Sequence, residues 1–550
     1  MIESAKNLSD NKTFQTAVCI VGTGAAGIPL ALEFEQSDIQ VLLIEAGDFK
    51  EQKENQALYS GTVSDEAMHS PTDKYRLRKF GGSTTIWGGR CMPFDPIDFE
   101  ARDYIPHSGW PITYQDLAPF YPKANEYLEA GYFAYDAREA FNPIAPPMFK
   151  GFNSKRFSTE GLERFSCPTD VGSRYYHRID QAPNIHCLTD ANITEIVLDK
   201  SGTKVIKLHG KTLTGKQFEI EAEQFVLAMG GIETTRLMLA SNKIHSQGIG
   251  NHHDVLGRYY MCHIAGNVGN LHISGDLNDV RHGYEVSPEG IYCRRRIQLN
   301  AEQQKEHQVT NMVARLHFPK ITDPSHKSGI LSGLFMAKSF VSYEYGKRLK
   351  DGEDPTVKLY LQHFWNILTD PIDTIKFITH WLFKRTLAER KFPSVILPNK
   401  TNLFSLEVHA EQIPNPNSRI NLIDELDALG VPKINIDWQY TQQDVDTVGK
   451  TLKLFSEEIK QSGIGEFTFN EENLEAELMR FGAYGGHHVG TTKMGHDAKN
   501  SVVNKDCKVH SIQNLYIASS SVFPTSSQAN PTLTITAMAL RLANHLKEKL

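Results

Sequence analysis

The sequence predicts an α/β protein, α+β overall, in which a discontinuous Rossmann-like domain is joined to a second domain built on an antiparallel sheet. Three observations predict it. Residues 16–45 hold a short apolar run, three glycines at GxGxxG spacing, a helix-compatible stretch and a second apolar run ending in an acid. Residues 225–239 repeat the order of strand, glycine turn and amphipathic helix far downstream, so distant segments complete one sheet. Between and beyond these lie short alternating runs with the period of half-buried antiparallel strands.

Each part of the opening unit has a physical reason. Gly22 permits the tight turn out of the strand, Gly24 lets backbone approach a pyrophosphate, and Gly27 lets the helix pack close to the strand. The helix over residues 28–34 aims unpaired amides at the phosphates, flanked by Ala25 and Ala26. Glu45 stands where a carboxylate accepts hydrogen bonds from ribose hydroxyls. The fingerprint alone leaves NAD and FAD open.

A polar stretch over residues 49–75 leads to Phe80-Gly81-Gly82-Ser83-Thr84-Thr85-Ile86-Trp87-Gly88-Gly89-Arg90, a loop able to lie against a flat ligand. Ser108-Gly-Trp110-Pro111 precedes a helix capped by Thr113, with Asp116 in its first turn. Runs at 185–188, 193–198, 204–208 and 218–220 read as a β-meander containing Ile196, followed by a buried strand at 225–227 and the Gly230-Gly231-Ile232 turn. Residues 310–318 and 404–411 read as strands of the second domain, and a turn-rich link at 413–419 separates strand candidates. The expected division is 1–105, 185–264 and 481–550 for the dinucleotide domain, with 106–184 and 265–480 for the substrate-binding or cap domain.

Within the cap, residues 357–386 form an aromatic helical pair broken at Asp370-Pro371, too short and too charged to span a bilayer. A lid or subunit contact is the expected role, with an interfacial amphipathic helix as the alternative.

Composition excludes other classes. Hydrophobic residues make up 40% of the 550 and charged residues 22%, as in ordinary globular enzymes. A formal charge of -7 gives no general attraction to nucleic acid or to an anionic membrane. Residues 1–16 lack the apolar core of a secretory signal, and the seven cysteines are dispersed without CxxC spacing. The expectation is a cytoplasmic protein with reduced thiols.

The chemistry gathers near the C-terminus. His487-His488-Val489-Gly490-Thr491 and Asn530-Pro531-Thr532 sit in apolar, glycine-rich sequence. A neutral imidazole can take a hydroxyl proton while a neighbouring amide holds the same oxygen, which makes His487 and Asn530 the candidates, with His488 beside them. A metal site is not expected: adjacent residues such as His487 and His488 point apart on a regular element.

These five motifs, in this order, resemble the glucose-methanol-choline (GMC) oxidoreductases. The resemblance implies FAD, a flavin domain built from distant segments, and a sheet facing the isoalloxazine. It implies oxidation of an alcohol, a sugar or other polyol, by hydride transfer to flavin N5. The family's base, three residues before its Gly-Thr, carries over to His487, and the downstream His or Asn to Asn530. The Asn variant is more similar to the pyranose-oxidase and bacterial sugar-oxidising side. Relatives that bind flavin covalently use a histidine where this chain has Ile86, so FAD is expected to be non-covalent. The implied cofactor contacts are Gly22, Gly24, Ala25, Ala26, Gly27, Glu45, Gly81, Gly82, Ser83, Thr85, Trp87, Gly88, Gly89, Ile196, Gly230, Ser519, Ser520, Pro531 and Thr532. Ser519 departs from the Asp or Gly of many relatives. The electron acceptor (oxygen, quinone or protein) and the oligomeric state stay open. A hydroxynitrile-lyase-type reaction on the same scaffold and a peripheral-membrane dehydrogenase with a protein acceptor are the alternatives.

Overall fold

The computed structural model describes all residues except 142–145, 320, 338–355, 395–396, 398–400, 481 and 484–485. Its largest sheet has eight strands. Val41–Ile44 and Gln217–Leu227 flank Lys12–Val21 on either side, all parallel. Ile185–Thr189 and Ile2–Ser4 extend the sheet beyond Val41–Ile44, and Leu515–Ile517 pairs in parallel with Phe225–Leu227. The chain therefore leaves its first strand at a switch point, with neighbours entering from both sides, and a crevice opens beyond the strand ends.

Three expectations for this region are corrected. Ile185–Thr189 does not belong to the meander but lies in the parallel part of the sheet, on Val41–Ile44. Residues 218–220 and 225–227 form one strand, Gln217–Leu227. Its first half pairs antiparallel with Val205–Lys211 and its second half packs among parallel strands. The expected helix over residues 28–34 is also shorter, Gly27–Leu32, after which the turn tightens through Phe34 N–H to Ala31 O.

The second main sheet has six strands in the order Gly465–Thr468, His263–Ile273, Leu403–Glu411, Met312–His317, Ile297–Leu299 and Phe157–Ser158. Alternation sorts its faces. Ile264, Val268, Leu406, Val408 and Ala410 enter a core shared with the 21-residue helix Gln442–Ser462. The odd-numbered His263, Ala265, Asn267, Glu407 and His409 face the crevice instead. The helix Val171–Gln181 buries Val171 and Ile179 in the same core as the first sheet, so residues 171–181 lie with that sheet although the expected division put them in the cap.

Local capping follows the sequence reading: Thr113 and Asp116 form a reciprocal capping box, and Pro531 precedes the closing helix Thr532–Lys547.

Candidate active site

A cavity of about 600 Å³ runs along the crevice from Gly22 to Asn530. At one end the Lys12–Val21 strand turns at Gly22, whose φ of 112° only glycine adopts easily. A Cβ on Gly22 would stand 2.4 Å from Ala228 O, and one on Gly27 1.8 Å from Gly22 O, which explains both glycines by close packing. A Cβ on Gly24 would meet no protein atom within 4 Å, because that backbone faces the cavity. Ala25, Ala26, Gly82, Ser83, Trp87 and Gly88 line the same wall, and Gly230, Ser519, Ser520, Pro531 and Thr532 close it from the C-terminal side.

Glu45 lies at this end. Thr23 donates its backbone N–H and hydroxyl to the carboxylate, and Gly47 N–H donates at 2.8 Å. Burial raises its pKa and these donors oppose the rise.

Five expected contacts do not line the cavity. Gly27 packs helix on strand, as read from the sequence. Gly81 N–H donates to Thr23 Oγ1 at 3.2 Å and fixes the loop against the first turn. Thr85 Oγ1 donates to Gly82 O and closes the loop's own turn. Gly89 packs on Pro168. Ile196 is a correction: it is 3% exposed in the core, while Ile193, an odd number of residues away on the same strand, faces the cavity.

Sequence reading missed Arg78. It is buried on the cavity wall, 3.7 Å from Glu233, and its Nε and Nη1 have no hydrogen-bond partner. A cation so placed suits a diphosphate or ribose. The available signal was Arg76 and Arg78 immediately before the glycine loop.

At the other end the two separated motifs meet. Asn530 Nδ2 lies 3.0 Å from His487 Nε2, and His263 Nδ1 lies 2.9 Å from His487 Nδ1. With the amide donating to Nε2, the proton of His487 sits on Nδ1 and points at His263. Burial pushes His487 down to about 4, with Arg90 and Arg315 adding to the fall, so the imidazole is neutral near pH 7. His263 and His409 are likewise held well below the ordinary range, chiefly by burial. Their rings stack at 4.1 Å because Ala265 pairs with His409 and His263 with Glu411, one diagonal step apart on one face. His409 Nδ1 donates to Gln528 O at 2.6 Å. Behind them Arg315 pairs with Glu163 and with Glu407, whose carboxylate these cations hold well below the usual range despite burial.

His488 faces a different network. His69 Nδ1 donates to Ser70 O at 2.6 Å, leaving Nε2 to accept from Tyr260 hydroxyl at 2.8 Å. The phenol oxygen then accepts from His488 Nδ1 at 2.6 Å. His488 Nε2, buried and without a partner, is left as a bare acceptor on the cavity wall.

These contacts also account for two groups of closely spaced ligand-type residues, His263–His409–His487 and His69–Cys262–His488. In the second, Tyr260 hydroxyl already bonds both imidazoles, with Cys262 Sγ 3.7 Å away.

The residues fit FAD. A glycine-walled crevice at a sheet switch point, a buried acid after the second strand and an arginine with free N–H groups lead without interruption to a neutral imidazole beside an amide. Fold and site define a flavin-dependent oxidoreductase acting on CH–OH groups.

The comparisons with known proteins agree. Residues 414–539 match the GMC oxidoreductase family and residues 16–256 the pyridine nucleotide-disulphide oxidoreductase family. The chain is similar to 6'''-hydroxyparomomycin C oxidase of Streptomyces lividus, 24% identical over 96% of this chain and 91% of that one. It is similar to the fructose dehydrogenase large subunit of Gluconobacter japonicus, 23% identical over 97% and 98%. Among solved structures, an FAD-dependent oxidoreductase from Chaetomium thermophilum shares the fold with a TM-score of 0.56, at 16% identity over 97% of this chain and 99% of that one. Its C-terminal part thus matches the GMC oxidoreductases, and the whole chain is similar to sugar and alcohol oxidases and dehydrogenases.

Proposed function

We propose that the protein oxidises a hydroxyl of a sugar or related polyol to a carbonyl, with His487 as base and Asn530 holding the reacting oxygen. The observation that carries this reading is the 3.0 Å pairing of His487 Nε2 with the Asn530 amide at the far end of the dinucleotide crevice. A substrate hydroxyl entering between them donates to Nε2 and accepts from the amide N–H. His487, neutral beforehand, takes the hydroxyl proton. Bound FAD supplies the two-electron acceptor for the hydride.

The carbohydrate oxidase and dehydrogenase relatives support the substrate class. They give no support to hydroxynitrile cleavage, and the electron acceptor stays open among oxygen, a quinone and a protein. The division into a dinucleotide domain at 1–105, 185–264 and 481–550 and a cap from the rest is part of the proposal, with residues 171–181 moved to the former.

No nucleophilic side chain occupies position 86, where Ile86 is 54% exposed on the cavity wall, which supports non-covalent FAD. Seven free thiols, six of them buried, support a reducing, cytoplasmic setting. Among the described residues no helix is long and apolar enough to cross a membrane.

An anaerobic panel of sugars and polyols tests the reading: a substrate bleaches the flavin, and admission of air separates oxidase from dehydrogenase. Acid precipitation should release all the FAD. Absence of bleaching by every sugar and polyol would reject the substrate class.

A further inference from the structure

The hairpin of Val357–Thr369 and Pro371–Trp381 is inside out. On its first helix Leu361, Phe364, Trp365 and Leu368 share one face at helical spacing, and Leu361 and Trp365 are 63% and 65% exposed. The opposite face, turned to the protein, carries His363, Asn366 and Asp370, with His363 fully buried. That face attaches the hairpin by hydrogen bonds and by the stacking of His363 on Phe335 at 4.1 Å. Ser332 Oγ bonds His363 Nδ1 at 3.0 Å, Asn366 donates to Pro324 O at 2.8 Å, and Gly329 N–H donates to Asp370 at 2.9 Å. The second helix likewise turns Ile372, Ile375 and Ile378 outward, each at least 60% exposed, with Phe383 beyond its end equally so, while Phe377 packs inward on Ile330, Leu331 and Leu397. A helix pair that leaves so many leucine, isoleucine, phenylalanine and tryptophan side chains turned outward is built for a non-aqueous neighbour.

Charge selects among the occupants of such a face. Although the chain carries a net -7, exposed Lys358, Lys376, Lys384 and Lys391 border the apolar stripes. Of the acids nearby, Asp370 is buried against Gly329, Asp373 is half-buried with Lys376 at 4.0 Å, and Glu389 is exposed between Lys384 and Lys391, so basic side chains outnumber exposed acids here. Apolar and aromatic side chains bordered by lysines match the boundary between anionic headgroups and acyl chains, where a lysine's stem lies along apolar surface and its charge reaches phosphate. The hairpin is continuous with the active-site wall: Arg385, Pro393 and Ser394 line the cavity, and Arg390 Nη1 donates to Phe165 O at 3.0 Å.

We propose that residues 357–387 dock the enzyme on an anionic lipid surface, with the exposed stripes of both helices in the headgroup–acyl boundary and the cavity wall held against the membrane. Neither helix enters deeply enough to span it.

The test uses the FAD-loaded protein with sedimentable vesicles of phosphatidylcholine alone and of phosphatidylcholine with phosphatidylglycerol. Binding should favour the phosphatidylglycerol vesicles and weaken as salt rises. The double variant Phe364→Glu/Ile375→Glu should lower partitioning by about tenfold or more, with flavin absorbance and substrate-driven bleaching unchanged. Lys376→Glu should reduce binding to anionic vesicles and leave binding to neutral ones as it was. The proposal fails if neither vesicle type pellets the protein, or if the double variant pellets as well as the parent. It fails equally if light scattering shows a dimer that the double variant dissolves while lipid binding is absent, since the face then joins two copies of the chain.

Discussion

The Asn530 amide nitrogen stands 3.0 Å from Nε2 of His487, 43 positions earlier in the chain. The closing helix sets one and a loop on the second sheet the other, so their meeting depends on the whole assembly. The pair should separate on mutation. His487→Ala removes the proton acceptor and should slow anaerobic flavin reduction by about 10²–10⁴-fold, while bound flavin stays. Asn530→Ala removes one donor to the reacting oxygen and should cost about 10²-fold. Single-turnover absorbance measures both, and an unchanged rate in His487→Ala removes His487 from the mechanism.

Gly22 and Gly24 should respond differently to alanine. At Gly22 the new Cβ meets Ala228 O at 2.4 Å on a backbone with φ 112°, so the fold itself suffers and the melting temperature of the apoprotein drops. At Gly24 the Cβ meets no protein atom within 4 Å. The Gly24→Ala apoprotein should melt like the parent and bind FAD about tenfold more weakly or worse, because the methyl group occupies cofactor space. Fluorescence titration of FAD and apoprotein melting curves, taken together, decide the matter. Equal FAD affinity in Gly24→Ala would place the cofactor elsewhere.

The rate of flavin reduction should tolerate acid. The base acts through an unprotonated Nε2, and burial holds His487 down to about 4. The rate should therefore stay level through neutrality and fall only as pH drops through about 4, one proton per step. A profile falling near the ordinary histidine value of 6.5 would show that the cavity admits enough water to restore normal basicity.

The same burial predicts acid lability of the fold. His69, His326 and His487 are each pushed down from 6.5 to about 4, mainly by burial. Between those values the unfolded chain binds more protons than the folded one, so stability rises with pH across the window and is lost as pH falls from 6.5 towards 4. Each group contributes on the order of 1–3 kcal/mol. Melting temperatures of the holoprotein should decline steeply over that range, and a flat profile from pH 6.5 to 4 would contradict the placement of these rings.

The parts of the site legible in the sequence are those fixed by local geometry. Gly22, Gly24 and Glu45 belong to one short strand–turn–strand unit, and its spacing states its purpose. His487 and Asn530 were legible as chemistry, and the family resemblance supplied their pairing. His263 and His409 were not, because they meet through a diagonal on an antiparallel ladder whose register no local pattern encodes. His409 occupies a polar place in an alternating strand and reads as solvent-facing, yet it is 8% exposed. The helical pair at 357–386 was legible as two amphipathic helices. Periodicity shows that a helix has two faces, not which one the protein covers, so its inverted seating appears only in three dimensions.

Tyr260 gives the most direct check on the second histidine. Its hydroxyl bonds His69 Nε2 at 2.8 Å and His488 Nδ1 at 2.6 Å, and the whole side chain is buried. Because Ser70 O accepts the Nδ1 proton of His69, the phenol must donate to His69 and accept from His488. The His488 tautomer is thereby set by a residue that never touches the cavity. Tyr260→Phe keeps the ring and removes the oxygen, leaving two buried imidazole nitrogens unpaired at a cost of about 1–3 kcal/mol each. Nitrogen-15 spectra of histidine-labelled protein should show His488 as the pure Nδ1–H form in the parent and as a mixture of both neutral forms in Tyr260→Phe. If the parent already carries the His488 proton on Nε2, the chain of donors from Ser70 outward is wrong, and the cavity wall presents a donor there rather than an acceptor.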